Sequence, residues 1–330
     1  MTTTPIRRRA ALGAGAALLA APPALRAQTA AAAWPTERPI EVIVPFPPGG
    51  GVDVMTRLIL PLAQARLPGS NFVVLNRPGA AGQIGLEATF NAAPNGYTIG
   101  ATTIPAHSGI AIERPTRYRP LDFTFLCNIV DDPNAIFVRA DSPIRSLGDL
   151  IERAKAGPGQ INYGTTGIGS DDHIFMLELE HAAGLPPQTH IPFAGSAVLT
   201  PQLLGGHLDM AVGNAGEMIT LGREGKVRGL AVATAERMRQ APDVPTFREL
   251  GYDLVAGASR GLVGPPGIPE PIAARLRAAF GEAMADPAFQ RDAERLVMPL
   301  RPLLGEDYRK MASEVDAQLR ALWQRRPWRG

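Results

Sequence analysis

Apolar residues recur along this chain in two rhythms. Ile40-Glu41-Val42-Ile43-Val44, Phe72-Val73-Val74-Leu75, Tyr97–Thr102, Phe123–Val130, Ala135–Val138, Ile161–Gly164, Ala211-Val212 and Leu230–Ala233 are short apolar runs. Runs of this length, bounded by glycine, proline or asparagine, read as buried strands. Between them lie longer segments of helical spacing: from Val52-Asp53 onward, Ile84–Ala92, Leu147–Ala156, Asp171–Ala183, Ile272–Ala285 and Asp307–Trp323. Pro94-Asn95-Gly96 and Gly157-Pro158-Gly159 supply stop signals for two of them. In Asp171–Ala183 the apolar positions Ile174, Met176, Leu177 and Leu179 fit a half-buried face only loosely. Strands alternating with helices predict parallel α/β sheets covered by helices on both faces.

The joints between these elements carry the candidate chemistry. Pro45-Phe46-Pro47-Pro48-Gly49-Gly50-Gly51 links a strand to a helix that begins near Val52-Asp53. Bare glycines let a ligand approach the main chain, and a helix N-terminus adds partial positive charge, so this turn suits an anion; the same residues also serve as a plain tight turn. Asn76-Arg77-Pro78-Gly79-Ala80-Ala81-Gly82 is a second glycine-rich loop. Tyr163-Gly164-Thr165-Thr166-Gly167-Ile168-Gly169-Ser170-Asp171-Asp172-His173 repeats the strand–turn–helix logic, with Ser170 or Asp171 as N-cap. Placed on two lobes, the first and third turns would face one cleft, which would suit a small molecule with a carboxylate at each end; the other reading is two unrelated turns.

The N-terminus changes the charge argument. Arg7-Arg8-Arg9, the apolar run Ala10–Leu25 and Arg26-Ala27-Gln28 have the regions of an export signal. Arg8-Arg9-Ala10-Ala11-Leu12 is similar to a twin-arginine signal, with alanine where that motif favours phenylalanine, and cleavage is expected near Ala27-Gln28. Pro22-Pro23 interrupts the run, which is short for a membrane span of about 20 residues. Residues 1–33 are therefore expected to be removed and the protein to work in the periplasm. Setting aside the four arginines of residues 1–27 leaves 29 basic and 31 acidic side chains, a net charge of −2. That balance, with aromatics at 6%, speaks against a nucleic-acid partner. The remaining 300 or so residues exceed the size at which one core keeps growing, so two domains are expected.

Other chemistries lack their motifs. No Gly-x-Ser-x-Gly elbow is present for a hydrolase. His107, His173, His181, His190 and His207 show no metal-ligand spacing. Gly225-Lys226 lacks the glycine that a phosphate-binding loop needs five residues earlier, where Thr220 stands. Cys127, the single cysteine, sits in an apolar run and reads as buried and structural, with a catalytic thiol as the other reading. No catalytic residue, metal or cofactor is expected, and the chain reads as a non-enzyme.

Taken in order, the motifs resemble a family. Trp34-Pro35, Arg38-Pro39-Ile40, Pro45–Asp53, Asn76–Gly82, Ala93-Pro94-Asn95-Gly96-Tyr97-Thr98, Pro158–Gly164, Leu204-Gly205-Gly206, Ala231–Thr234, Pro242–Thr246 and Gly264–Pro269 are similar to the signatures of Bug-type receptors. These are the substrate-binding proteins of tripartite tricarboxylate transporters. The resemblance implies a type II periplasmic-binding fold: two α/β lobes, joined by two crossing strands, that close over a small organic acid or related metabolite. Domain 1 would comprise 34–126 and 255–330, and domain 2 would comprise 127–254. It further implies ligand contacts from Phe46, Pro48, Gly49, Gly50, Thr102 and His107 on domain 1. Domain 2 would add Thr165, Thr166, Gly167, Ser170, His173, Gly195 and Asn214. The implied partners are membrane permease subunits; docking on a signalling kinase is the competing role.

The chain also departs from that pattern. Pro192-Phe193-Ala194-Gly195 has alanine where relatives often carry lysine, and Asp171-Asp172 replace uncharged residues before His173. Acids in a first helical turn suit the helix dipole and read equally as surface residues. If they face the cleft, they oppose a second ligand carboxylate. The expected ligand therefore carries at most one uncompensated carboxylate, with a neutral, amide-like, aromatic or cationic far end.

Overall fold

The computed structural model describes residues 34–328, so the expected export signal lies outside the described residues. In chain order the elements are β1 (Ile40–Val44), α1 (Gly51–Ala65), β2 (Phe72–Asn76), α2 (Gln83–Phe90), β3 (Thr98–Ile104), α3 (Ala106–Glu113), β4 (Thr124–Arg139), α4 (Leu147–Lys155), β5 (Asn162–Thr165), α5 (Asp171–Ala182), β6 (Thr189–Pro192), α6 (Ser196–Leu204), β7 (Met210–Asn214), α7 (Ala215–Arg223), β8 (Val227–Val232), β9 (Gly257–Gly264), α8 (Glu270–Met284), α9 (Pro287–Arg295), β10 (Leu300–Leu304) and α10 (Gly305–Arg325). Local chemistry explains several boundaries. Ser146 and Asp149 form a reciprocal capping box at the start of α4, and Asp286 caps α9.

The strands run in the order β2-β1-β3-β9-β4-β7-β5-β6, with β8 and β10 also paired to β4. Parallel pairing holds within β2-β1-β3 and within β6-β5-β7. The two parallel sets are joined by antiparallel strands, since β9 pairs antiparallel with both β3 and β4, and β4 antiparallel with β7. An all-parallel arrangement is thus corrected to a mixed one. The 16-residue strand β4 also joins what reads in sequence as two strands. The polar residues between them, Asp131 to Asn134, look like a break. Asp132 and Asn134 instead find partners in the cleft, so a polar stretch survives in a central strand.

Each end of this sheet has its own core. Val42, Val44, Met55, Ile59, Ile99, Leu262, Leu276 and Phe280 pack in the first lobe. Ile136, Val138, Leu150, Phe175, Leu179, Met210, Val212 and Phe247 pack in the second. Cys127 is fully buried in the first core, and burial pushes its thiol pKa up, away from the reactive thiolate. β4 and β9 run side by side from Thr124 to Pro133, which makes them the crossing pair between the lobes.

Candidate functional site

The cleft between the lobes contains a small, partly open cavity of about 30 Å³, enough to hold water. Phe46, Gly50, Thr166, Ser170 and Asn214 lie on its wall with Thr103, Ala106, Asp171, Ser196, Glu217 and Arg260. Five helices begin on this wall: α1 at Gly51, α3 at Ala106, α5 at Asp171, α6 at Ser196 and α7 just after Asn214. Each N-terminus brings about half a positive charge, so the backbone makes the cavity strongly receptive to negative groups.

The lobes touch around this cavity. A Cβ at Gly195 would meet Pro47 Cδ at 3.0 Å, one at Gly167 would meet Ala81 Cβ at 2.7 Å, and one at Gly109 would meet the Gly169 carbonyl oxygen at 2.8 Å. Bare glycines on the second-lobe side thus permit close approach to the first and second glycine loops. Gly167 therefore serves a lobe–lobe contact. Beside this cavity lies a larger, more open pocket of about 510 Å³. It shares Gly51, Glu217 and Arg260 with the cavity, includes Gly49, and has apolar walls at Val54, Leu221, Leu296 and Met298.

Charge in the cleft belongs largely to side chains that motif reading missed. Arg260, on β9 and 3% exposed, bridges Asp132 Oδ2 at 3.2 Å, Glu217 Oε1 at 2.9 Å and Asn214 Oδ1 at 2.8 Å. Glu217 Oε1 also accepts from the Gly51 N–H at 3.3 Å. The anion position at the start of α1 is therefore held by a carboxylate from the opposite lobe. Asp53 Oδ2 accepts the Gly49 N–H at 2.9 Å. Burial alone would raise the Asp53 pKa, but bonds from Arg57, Asn76 and Gly49 outweigh it and hold the carboxyl low. Pro48 and Gly49 themselves are exposed.

The two aspartates of α5 are both buried. Asp171 Oδ2 accepts from Asn134 Nδ2 at 2.8 Å and Asn214 Nδ2 at 2.9 Å. Asp172 turns under the third turn, accepting from Thr166 Oγ1 at 2.6 Å, Thr166 N at 3.1 Å and Asn134 Nδ2 at 3.1 Å. Burial, then the neighbouring Asp171, raises the Asp172 pKa well above the usual carboxylate range. Burial likewise pushes Asp132 up to about 7, against the pull of Arg260.

Four of the expected residues lie behind the wall. Thr102 and Thr103 alternate across β3, so Thr103 meets the cavity while Thr102 Oγ1 bonds His107 Nδ1 at 2.9 Å. His107 Nε2 bonds the Pro120 carbonyl at 3.0 Å, and its ring packs among Tyr118, Phe123 and Phe125. Burial pushes its pKa down to about 4, so it is neutral. Thr165 bonds His190 Nε2 at 2.6 Å and accepts from the Gly167 N–H. His173 Nδ1 accepts from the Gly169 N–H at 3.2 Å, and its ring stacks on His190 at 4.2 Å between centroids. Burial first, then His190, pushes the His173 pKa down to about 3. Ser170 caps α5 through the His173 N–H at 3.2 Å. Arg260 and Glu217 had faint signals: a charge inside the apolar stretch Ala258–Gly264, and an acid in the first turn after Asn214.

Among the described residues no group of three or more His, Cys, Asp or Glu is arranged to hold a metal ion. No described helix is long and apolar enough to cross a membrane.

Comparison with known proteins decides the family. The tripartite tricarboxylate transporter family receptor matches residues 59–326. The chain belongs to this family of solute-binding receptors. The receptor is 33% identical over 257 residues to Protein BugT of Bordetella pertussis, covering 76% of this chain and 78% of BugT. Among solved structures, the periplasmic binding protein BugD superposes with a TM-score of 0.82 at 28% identity, covering 88% of this chain and 97% of that one. MatC from Rhodopseudomonas palustris, solved with bound malate, gives a TM-score of 0.80 at 27% identity, covering 87% and 99%.

Proposed function

We propose that this receptor captures a small organic acid or related metabolite in the periplasm by closing its lobes, and delivers it to the permease subunits of a tripartite tricarboxylate-type transporter. The observation that carries this reading is the ring of five helix N-termini, drawn from both lobes, around one cavity. An acidic ligand bridging the ring favours the closed arrangement by its higher affinity for it. The ligand enters from the side of the adjoining pocket of about 510 Å³, with the lobes parting to admit it. The moving units are 34–126 with 255–330, and 127–254, turning about β4 and β9. Phe46, Gly50, Thr166, Ser170 and Asn214 contact the ligand, while Thr102, His107, Thr165 and His173 hold the walls from behind. No bond is made or broken, and export precedes function.

A thermal-shift screen of the processed chain against small monocarboxylates, dicarboxylates, their amides and amino acids tests this. A ligand at 100 times its dissociation constant should stabilise by about 2.7 kcal/mol. Failure of every carboxylate to raise the melting temperature would remove the acid-capture reading.

A further inference from the structure

The anion position at the start of α1 already has an occupant. Gly51 N–H and the Arg260 guanidinium both serve Glu217 Oε1, and Gly49 N–H serves Asp53. An incoming carboxylate must displace Glu217 or settle elsewhere on the wall. Around that position stand Asp132, Asp171 and Glu217, with Asp172 directly behind, against Arg260 as the single cationic side chain on the cavity wall. Fully ionised, these five groups would carry about −3, but burial raises the pKa values of Asp132 and Asp172, so they carry less than that, and five helix N-termini of about half a charge each then leave the wall short of negative charge. The wall thus takes one carboxylate more readily than two. A dicarboxylate adds two negative charges to it, whereas a zwitterion adds none.

Hydrogen bonding gives a second and independent sign. Two buried polar atoms of wall residues have no partner: Arg260 Nε, a donor, and Glu217 Oε2, an acceptor. Buried groups of this kind cost stability until something bonds them. A ligand that satisfies both must bring an acceptor and a donor close together. The adjoining pocket of about 510 Å³, walled by Val54, Leu221, Leu296 and Met298, offers room for an apolar body next to that polar head.

Resting on the reading of this cleft as the ligand site, we propose that the ligand presents a cationic hydrogen-bond donor to Glu217 and Asp171, beside no more than one carboxylate: an amino acid or amine-bearing monoacid with an apolar body. The ammonium group bonds Glu217 Oε2 and faces Asp171. The carboxylate takes the Arg260 Nε–H and the hydroxyls of Thr103 and Ser196. Glu217 is then the residue that selects charge, because it fills the anion position and keeps its other oxygen without a partner.

Calorimetric titration of the processed chain at pH 7 with matched probes tests this. Leucine, isobutylmalonate, 4-methylpentanoate and isopentylamine share one apolar body, and 6-aminohexanoate, adipate and hexanoate share another. The amine-bearing monoacid of each set should bind at least about tenfold more tightly than its dicarboxylate. Glu217→Gln should shrink that ratio to a few-fold by improving dicarboxylate binding, whereas a merely structural role would weaken both alike. Equal or tighter binding of isobutylmalonate and adipate would overturn the inference and leave acid capture standing. Isopentylamine binding as tightly as leucine would sustain the cationic seat and remove acid capture. Binding by no amine-bearing probe would overturn the inference outright.

Discussion

The glycine turn before α1 and the glycine turn before α5 border the same cavity, yet they draw their partners from different places. The turn before α5 is stitched from within its own lobe. Asp172 holds Thr166, His190 holds Thr165, Ser170 caps the helix, and His173 takes the Gly169 N–H. The turn before α1 looks outward. Its Gly51 N–H is served by Glu217 from the opposite lobe, and Arg260 ties Glu217 to Asp132 on the crossing strand β4. One wall is finished before the lobes meet, and the other is completed only when they do. In the proposed closure this asymmetry lets contacts change at one wall without dismantling the other.

The comparison breaks most visibly at Arg260. Replacing it by Met would leave Asp132 and Glu217 buried without their cation, a loss of roughly 3–5 kcal/mol. Chemical denaturation should register the drop, and adding Asp132→Asn in the same chain should recover part of it. No drop would mean that these carboxylates are protonated and that Arg260 only fills space.

The next effect is a pair of opposite pH slopes. Asp132 titrates near 7 in the fold and near 3.8 when unfolded, so the stability it contributes is full below about 3.8 and is lost as pH rises through about 7. His190 is pushed by burial from 6.5 down to about 4, so its contribution is full above about 6.5 and is lost as pH falls towards 4. Both windows lie between about pH 4 and 7, so over that range Asp132→Asn should make the melting temperature rise more steeply with pH, and His190→Phe should make it rise less. Slope changes of the same sign in both variants would show that the two walls do not titrate separately.

The smallest effect sharpens the self-contained wall. Ser170→Ala removes the cap on α5 and should cost about 1 kcal/mol of stability. Ser170 also lines the cavity, so affinity should fall for every probe alike, while the preference between amine-bearing and dicarboxylate probes, set at Glu217, should stay within about twofold, a difference of under 1 kcal/mol. A collapse of that preference would show that Ser170 takes part in charge selection.

Much of this was legible from residue order. The strands at Ile40–Val44 and Phe72–Leu75, the helices from Leu147 and Asp171, and the glycine turns each follow local rules of period, capping and backbone freedom. The failures were also physical. Asp131 to Asn134 looked like a break because polar residues in a central strand need partners, and those partners lie 37 or more residues away in sequence. Adjacent Thr102 and Thr103 are alike in chemistry, and only the facing of β3 puts one on the cavity and the other on His107. Asp171 and Asp172 suited a solvated helix start as well as a buried one.

By itself the sequence determined the two-lobed α/β design, the absence of hydrolase and nucleotide motifs, and the family, because periodicity, turn chemistry and motif order are local properties written in consecutive residues. Tertiary structure alone decided the charge of the cleft. Arg260, Glu217, Asp132 and Asp171 come from β9, α7, β4 and α5, and no local pattern relates them. Their energies depend on distance and on exclusion of water, and both quantities exist only once the lobes have packed.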